Sequence, residues 1–190
     1  MTTLTLKSYQ QSALDALATY ARAARIQGPA AAFAQHAGRA YNADAFGPDV
    51  PCVCLRIPTG GGKTVLAAHA VPLLAAEWRG TDAPVAVWLV PSDTIRTQTL
   101  KALQTSGHPY REALEAVYGL GLRVCSLDDV AQVPAPQWGR QAVVMVVATI
   151  QSFRIDDAGQ RNVYSFTEAF EPHFKYALAQ GLGAEGGRDL

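Results

Sequence analysis

The sequence predicts an α/β fold with a mainly parallel sheet flanked by helices. Four apolar runs of strand length, Cys52–Ile57, Val85–Val90, Leu122–Ser126 and Val143–Ala148, alternate with stretches that read as helices. Three of these runs end in polar segments, PTGGGKT, PSDTIRTQ and TIQSF. In open parallel sheets, ligands bind at the carboxyl ends of the strands, so three such ends suggest one shared binding edge. Finally, 190 residues with 49% hydrophobic and 17% charged side chains make a globular chain with a real core.

Lys+Arg and Asp+Glu both number 16, so the formal charge is zero. That excludes a global basic field, and any contact with nucleic acid has to be local. The start, MTTLTLKSYQQ, has no basic n-region followed by an apolar h-region, and no apolar run is long enough to span a bilayer. Three cysteines, an odd and sparse set, point to a reducing, cytoplasmic compartment. Cys52 and Cys54 lie two apart in a predicted strand, so they point the same way. Without a CxxC or a Cys/His cluster they are expected to be buried strand thiols rather than a metal pair. The histidines His36, His69, His108 and His173 are scattered and receive no role.

Taken in order, Leu6–Ile26 is expected to be an amphipathic helix. Leu14, Leu17, Ala21 and Ala24 fall on one face, and Ser8 stands near the N-cap. Residues 28–51 are an Ala/Gly/Pro-rich insertion, with a short helix expected over Ala30–Tyr41 between breakers. Cys52–Ala76, CVCLRIPTGGGKTVLAAHAVPLLAA, organises the chain. A strand-like run enters a turn that only glycines make easily, and an Ala/Leu-rich helix opens on Lys-Thr. Unpaired N–H groups at that helix start, with the helix dipole, favour an anion such as a phosphate chain. Lys63 can reach the outer phosphates and Thr64 can offer its hydroxyl to Mg²⁺. The strict pattern G-x-x-x-x-G-K-[ST] is met at Gly62, Lys63 and Thr64, whereas Ile57 stands at its first glycine. Pro72 should kink or divide the helix, because it removes a backbone donor.

Gly80–Pro84 reads as a loop, and the continuous apolar run Val85–Val90 as a parallel strand covered on both faces. Ser92 or Asp93 can cap a helix running to about Leu103. Tyr110–Tyr118 reads as a helix closed by Gly119 and Gly121, Leu122–Ser126 as a strand, and Asp128–Gln141 mostly as loop. Val143–Ala148 is the clearest strand. Asp156–Arg161 reads as a turn, Phe166–Ala179 as a helix interrupted by Pro172, and GLGAEGGRDL as a frayed tail.

Four segments in this order resemble the first RecA-like domain of superfamily 2 helicases. The resemblance is to the branch that holds type III restriction enzyme motor (Res) subunits and DEAD/DEAH-box-like translocases. LKSYQQ resembles the Q-motif, IPTGGGKT motif I, VPSDTIRTQ motif Ia, and ATIQSF the T-x-Q-S segment of that family. The resemblance covers about residues 4–166. It implies an incomplete RecA-like P-loop domain over residues 52–166, preceded by a Q-motif-like helix in 1–27 and followed by a helix and tail in 167–190. Further, it implies ATP and Mg²⁺ as cofactors, and ATP hydrolysis coupled to movement on DNA. By this resemblance Gln10 would bond the adenine edge with Tyr9 packing beside it. Thr59, Gly60, Gly61 and Gly62 would lie along the phosphates, Lys63 would contact the β- and γ-phosphates as the catalytic lysine, and Thr64 would hold Mg²⁺. Pro91, Ser92, Arg96 and Gln98, with Thr149, Gln151 and Ser152, would touch the backbone of a nucleic-acid strand without reading its sequence. Partners implied are DNA, the remainder of the motor and a methyltransferase (modification) subunit.

The sequence departs from the family pattern where the D-E-x-H or D-E-x-D segment belongs. Its acidic pairs, Asp128-Asp129 and Asp156-Asp157, do not follow an apolar run directly in that form. Motif III and a second RecA-like domain are also missing. Hydrolysis needs such groups, so the chain alone is expected not to turn over ATP, and an interior strand beside the P-loop would be left unpaired and prone to associate. Two other classes compete with this reading. A small-molecule P-loop kinase explains PTGGGKT but not Tyr9-Gln10 or the other strand-end segments. A non-hydrolysing nucleotide- or DNA-binding fragment would need a partner to complete it.

Overall fold

The computed structural model describes residues 5–42, 47–133 and 143–153. The expected turn at Asp156–Arg161, helix at Phe166–Ala179 and glycine-rich tail lie outside the described residues. The chain divides into two compact units, one of Met1–Asp82 with Ser106–Gly119, the other of Ala83–Thr105 with Leu120–Leu190.

The first unit is helical among its described residues. Helix α1, Ser8–Gln27, buries Leu14, Leu17, Tyr20, Ala21 and Ala24, the face that the helical spacing marks out. Its N-cap is Lys7, with Ser8 beside it as the first helical residue, and the Gln10 side chain supplies the capping acceptor through Oε1, 2.8 Å from the Lys7 N–H. Gly28, at φ 88°, turns the chain into α2, Pro29–Ala37, which Gly38 closes in the left-handed region. This helix is shorter than the stretch to Tyr41 predicted from sequence, because only glycine takes that backbone at little cost. Tyr20, Phe33 and Tyr41 stack edge to face, with ring centroids 6.0 and 5.6 Å apart. The Tyr41 hydroxyl donates to Val50 O and accepts from the Cys52 N–H, each at 2.6 Å, which pins the entry to the glycine turn.

Residues 52–57 do not form the predicted strand. A strand needs a neighbour for its backbone groups, and among the described residues this segment pairs with none. Val53 and Leu55 are consequently exposed. The expectation of buried strand thiols fails with it: Cys52 is half-buried and Cys54 exposed. Helix α3, Lys63–Leu74, runs through Pro72 and widens into a π-helical turn over Ala75–Arg79, which Gly80 ends at φ 63°. The proline therefore neither divides the helix nor stops it, and the wider turn follows directly. Arg22 grips Glu77 with two bonds, Nε to Oε2 at 2.8 Å and Nη2 to Oε1 at 2.7 Å. Helix α5, Pro109–Tyr118, buries Ala113 and Leu114 and packs against α3.

The second unit is a three-stranded parallel sheet in the order β1-β3-β2, where β1 is Val85–Val90, β2 Leu122–Ser126 and β3 Val143–Thr149. Strand β3 is central and buried at every position, as its unbroken apolar run requires. Strand β1 departs from the expectation of two covered faces. It is an edge strand, and among the described residues its Val85, Val87 and Leu89 face is 43–54% exposed. Helix α4, Asp93–Gln104, packs on the sheet and inserts Leu103 and Thr99. On β2, Cys125 joins Val133, Val144 and Val146 in an apolar cluster, and burial pushes its thiol pKa up.

Candidate nucleotide-binding turn and strand-end surface

The glycine turn is built from its own backbone outward. Pro58 O accepts the Gly61 N–H at 3.0 Å and the Lys63 Nζ at 3.1 Å, so one carbonyl closes the loop from both ends. Gly60 and Gly62 sit at φ 75° and 77°, a region costly for side-chain-bearing residues. A Cβ on Gly61 would lie 2.6 Å from Ile57 Cγ2 and 2.9 Å from Pro58 O. Ile57, which replaces the first glycine of the phosphate-binding pattern, is thus packed against the glycine run itself. Gly62 is the N-cap of α3, and its carbonyl accepts the Leu66 N–H at 3.0 Å.

Tyr9 and Gln10 meet this turn. The Gln10 Nε2 donates to Gly61 O at 2.9 Å and the Tyr9 hydroxyl donates to the same oxygen at 3.1 Å. Gln10 is buried, and a Cβ on Gly62 would stand 2.5 Å from its Nε2. Sequence reasoning did not anticipate this contact, since 51 residues separate the partners. Thr59 and Lys63 are exposed and Thr64 is half-buried at the first turn of α3. A phosphate chain fits here: Gly60 has open space where a Cβ would stand, and an ammonium and a hydroxyl flank the helix start.

His69, on α3 beyond the turn, has its pKa lowered below 6.5 by burial. The folded state therefore favours the neutral ring. That contribution is whole above the ordinary value and is lost as pH falls through it toward the depressed folded value. His69→Gln is expected to flatten the acid side of the stability profile, read as the difference in Tm between about pH 7.5 and about pH 5.5. An unchanged acid slope would remove His69 from the account.

The second cluster lies at the carboxyl ends of the sheet strands. Val90 and Thr149 are register partners, so Pro91–Gln98 and Ile150–Phe153 leave the sheet side by side. Ser92 caps α4 and its Oγ accepts the Ile95 N–H at 3.4 Å. Thr149 is buried; its Oγ1 lies 2.8 Å from Ser152 Oγ and accepts the Ser152 N–H at 3.2 Å. Pro91, Gln98 and Gln151 are exposed. The Arg96 Nε donates to Asp93 Oδ1 at 2.8 Å, and this bond, with Asp128 and Asp129 nearby, holds the guanidinium more firmly charged. Sequence reasoning named Arg96 but missed its partner, although an Asp three residues earlier on a helix is a readable signal. Ser126 Oγ donates to Asp129 Oδ2 at 2.6 Å, so Asp129 is engaged in the loop that leaves β2.

A glycine turn opening a helix with Lys-Thr, in a chain that also forms a parallel α/β sheet, resembles a P-loop nucleotide-binding protein, although residues 52–57 before the turn form no strand. The family model described as "Type III restriction enzyme, res subunit" matches residues 3–176, and the chain belongs to that family, as a superfamily 2 helicase-like ATP-binding domain. No curated protein and no solved structure matches the chain significantly. No helix among the described residues is long and apolar enough to cross a membrane.

Proposed function

We propose that this chain binds Mg²⁺-ATP at Thr59–Thr64 as the nucleotide-binding part of a DNA-translocating motor of a type III-like restriction system. The observation that carries the reading is the Gly60–Gly62 turn, which is open at Gly60, takes left-handed backbone at Gly60 and Gly62, and leads directly into a helix that begins Lys63-Thr64. When bound, ATP would supply a phosphoanhydride whose cleavage releases free energy. The residues of this chain bind and orient it. Backbone N–H groups of Gly60 and Gly62 would hold phosphate oxygens, the Gly61 N–H being engaged by Pro58 O; Lys63 would exchange its bond to Pro58 O for the outer phosphates, Thr64 would ligate Mg²⁺, and Gln10 would be the adenine contact that the family resemblance implies. Ser92, Arg96 and Gln98, beside Thr149, Gln151 and Ser152, would meet a DNA backbone. Hydroxyls and a helix N-terminus suit contact that must slide. The remainder of the motor and a modification subunit are the partners this reading implies, in the cytoplasm.

A second reading is favoured by one observation. Asp129 is bonded to Ser126 and the sequence offers no D-E pair after an apolar strand, so the chain by itself would bind ATP and DNA without hydrolysis. One experiment tests both. Mg²⁺-ATP binding and turnover are measured for the wild-type chain and Lys63→Ala, with and without DNA. Loss of a charged contact should weaken ATP by roughly 10- to 100-fold in the variant. Equal affinity in the two proteins would sink the nucleotide reading. DNA-stimulated turnover would refute the non-hydrolysing one.

A further inference from the structure

We propose that Tyr9 and Gln10 form a clasp on the Gly61 carbonyl that presets the phosphate-binding turn, making Gln10 a positioning residue for the phosphate chain itself. The inference rests on the nucleotide-binding reading above and adds to any contact Gln10 makes with a base. Two donors from one helix start converge on one oxygen, Gln10 Nε2 at 2.9 Å and Tyr9 Oη at 3.1 Å. A peptide unit is planar and trans, so fixing the direction of the Gly61 C=O fixes the Gly62 N–H in the opposite direction. That N–H is one of the donors a phosphate would use. Gln10 is held in its turn: its Oε1 accepts the Lys7 N–H at 2.8 Å, which ties the amide to the cap of α1. Only a glycine at 62 lets the amide come this close, because a Cβ there would stand 2.5 Å from Nε2. Arranging the cradle in advance lowers the ordering cost that a phosphate ligand has to overcome on binding.

The clasp is separable from base recognition by a ligand that has no base. Competition against a fluorescent ATP analogue gives the affinities of Mg²⁺-ATP and Mg²⁺-tripolyphosphate for wild type, Gln10→Glu and Tyr9→Phe. Gln10→Glu keeps an acceptor for the Lys7 N–H, so the helix cap survives, but it replaces the Gly61 donor with an oxygen. The expected result is a loss of about tenfold for tripolyphosphate with Gln10→Glu and about threefold with Tyr9→Phe, and at least as much for ATP. Tyr9 is 41% exposed, so its conservative variant keeps the test alive if the Gln10 variant fails to fold. Tripolyphosphate affinity unchanged in the folded variants, with any loss confined to ATP, overturns the clasp and leaves the nucleotide reading standing. A wild-type chain that binds neither ligand overturns both.

Discussion

Gly62→Val is expected to lower Mg²⁺-ATP affinity by roughly 100- to 1,000-fold while the helical circular dichroism is retained. Two costs add at this position. The backbone stands at φ 77°, ψ 36°, and a β-branched residue there is strained by roughly 1–3 kcal/mol. The new Cβ would also meet the Gln10 amide at 2.5 Å, and that amide is the flexible end of a side chain, so it gives way and releases Gly61 O. The loop can relieve the strain only by leaving the left-handed region, which turns the cradle away from the phosphates. Unfolding is not expected, because Gly62 lies at a turn and the helix it opens begins at Lys63. Isothermal titration with Mg²⁺-ATP, checked by circular dichroism, reads both statements. Wild-type affinity in the valine variant would mean that phosphate does not bind at this turn.

Most of the described part of the second unit was legible in the sequence, and the reasons are local. Val85–Val90 and Leu122–Ser126 form with the predicted ends, and Val143–Ala148 runs one residue further to Thr149. Val85–Val90 and Val143–Ala148 are short valine-rich runs, Leu122–Ser126 follows the breakers Gly119 and Gly121, and Ser92 before an amphipathic stretch announces the cap of α4. Cys52–Ile57 has the same composition and yet makes no strand. Composition reports suitability for a sheet, whereas a strand also needs a partner chain, which no local pattern encodes. The open face of β1 has a similar origin, since an apolar run does not reveal whether a helix or another layer covers both faces of its strand. At the candidate site, the glycine turn and Lys63-Thr64 could be read because the pattern is short and contiguous. The Gly61 clasp by Tyr9 and Gln10 could not, because it depends on where α1 starts relative to a turn 51 residues later.

Val144→Asp is expected to remove most of the stability of the sheet. Val144 is 0% exposed on the central strand, opposite Val85 of β1 and Arg123 of β2, and it packs with Cys125, Val133 and Val146. Trimming it to alanine would remove about two methyl groups, worth roughly 1.6 kcal/mol at the usual transfer value per carbon. A carboxyl group in the same place also has to lose its water among the apolar side chains of that cluster, a further cost of several kcal/mol that its register partner Arg123 offsets only in part. Domains of this size have only about 5–15 kcal/mol in hand. The sign of the pH dependence separates desolvation from lost packing. Burial raises the pKa of the introduced carboxyl above its unfolded value, so its penalty is largest at neutral pH and shrinks as the group is protonated in acid. The alanine variant has no such group and should run parallel to wild type. Urea melts of the three proteins at about pH 7 and about pH 4 make the comparison. A gap between the aspartate and alanine variants that stays constant across that range would assign the loss to shape alone. A gap that narrows in acid would place Val144 in a dry interior beneath the strand ends that carry Ser92 and Thr149.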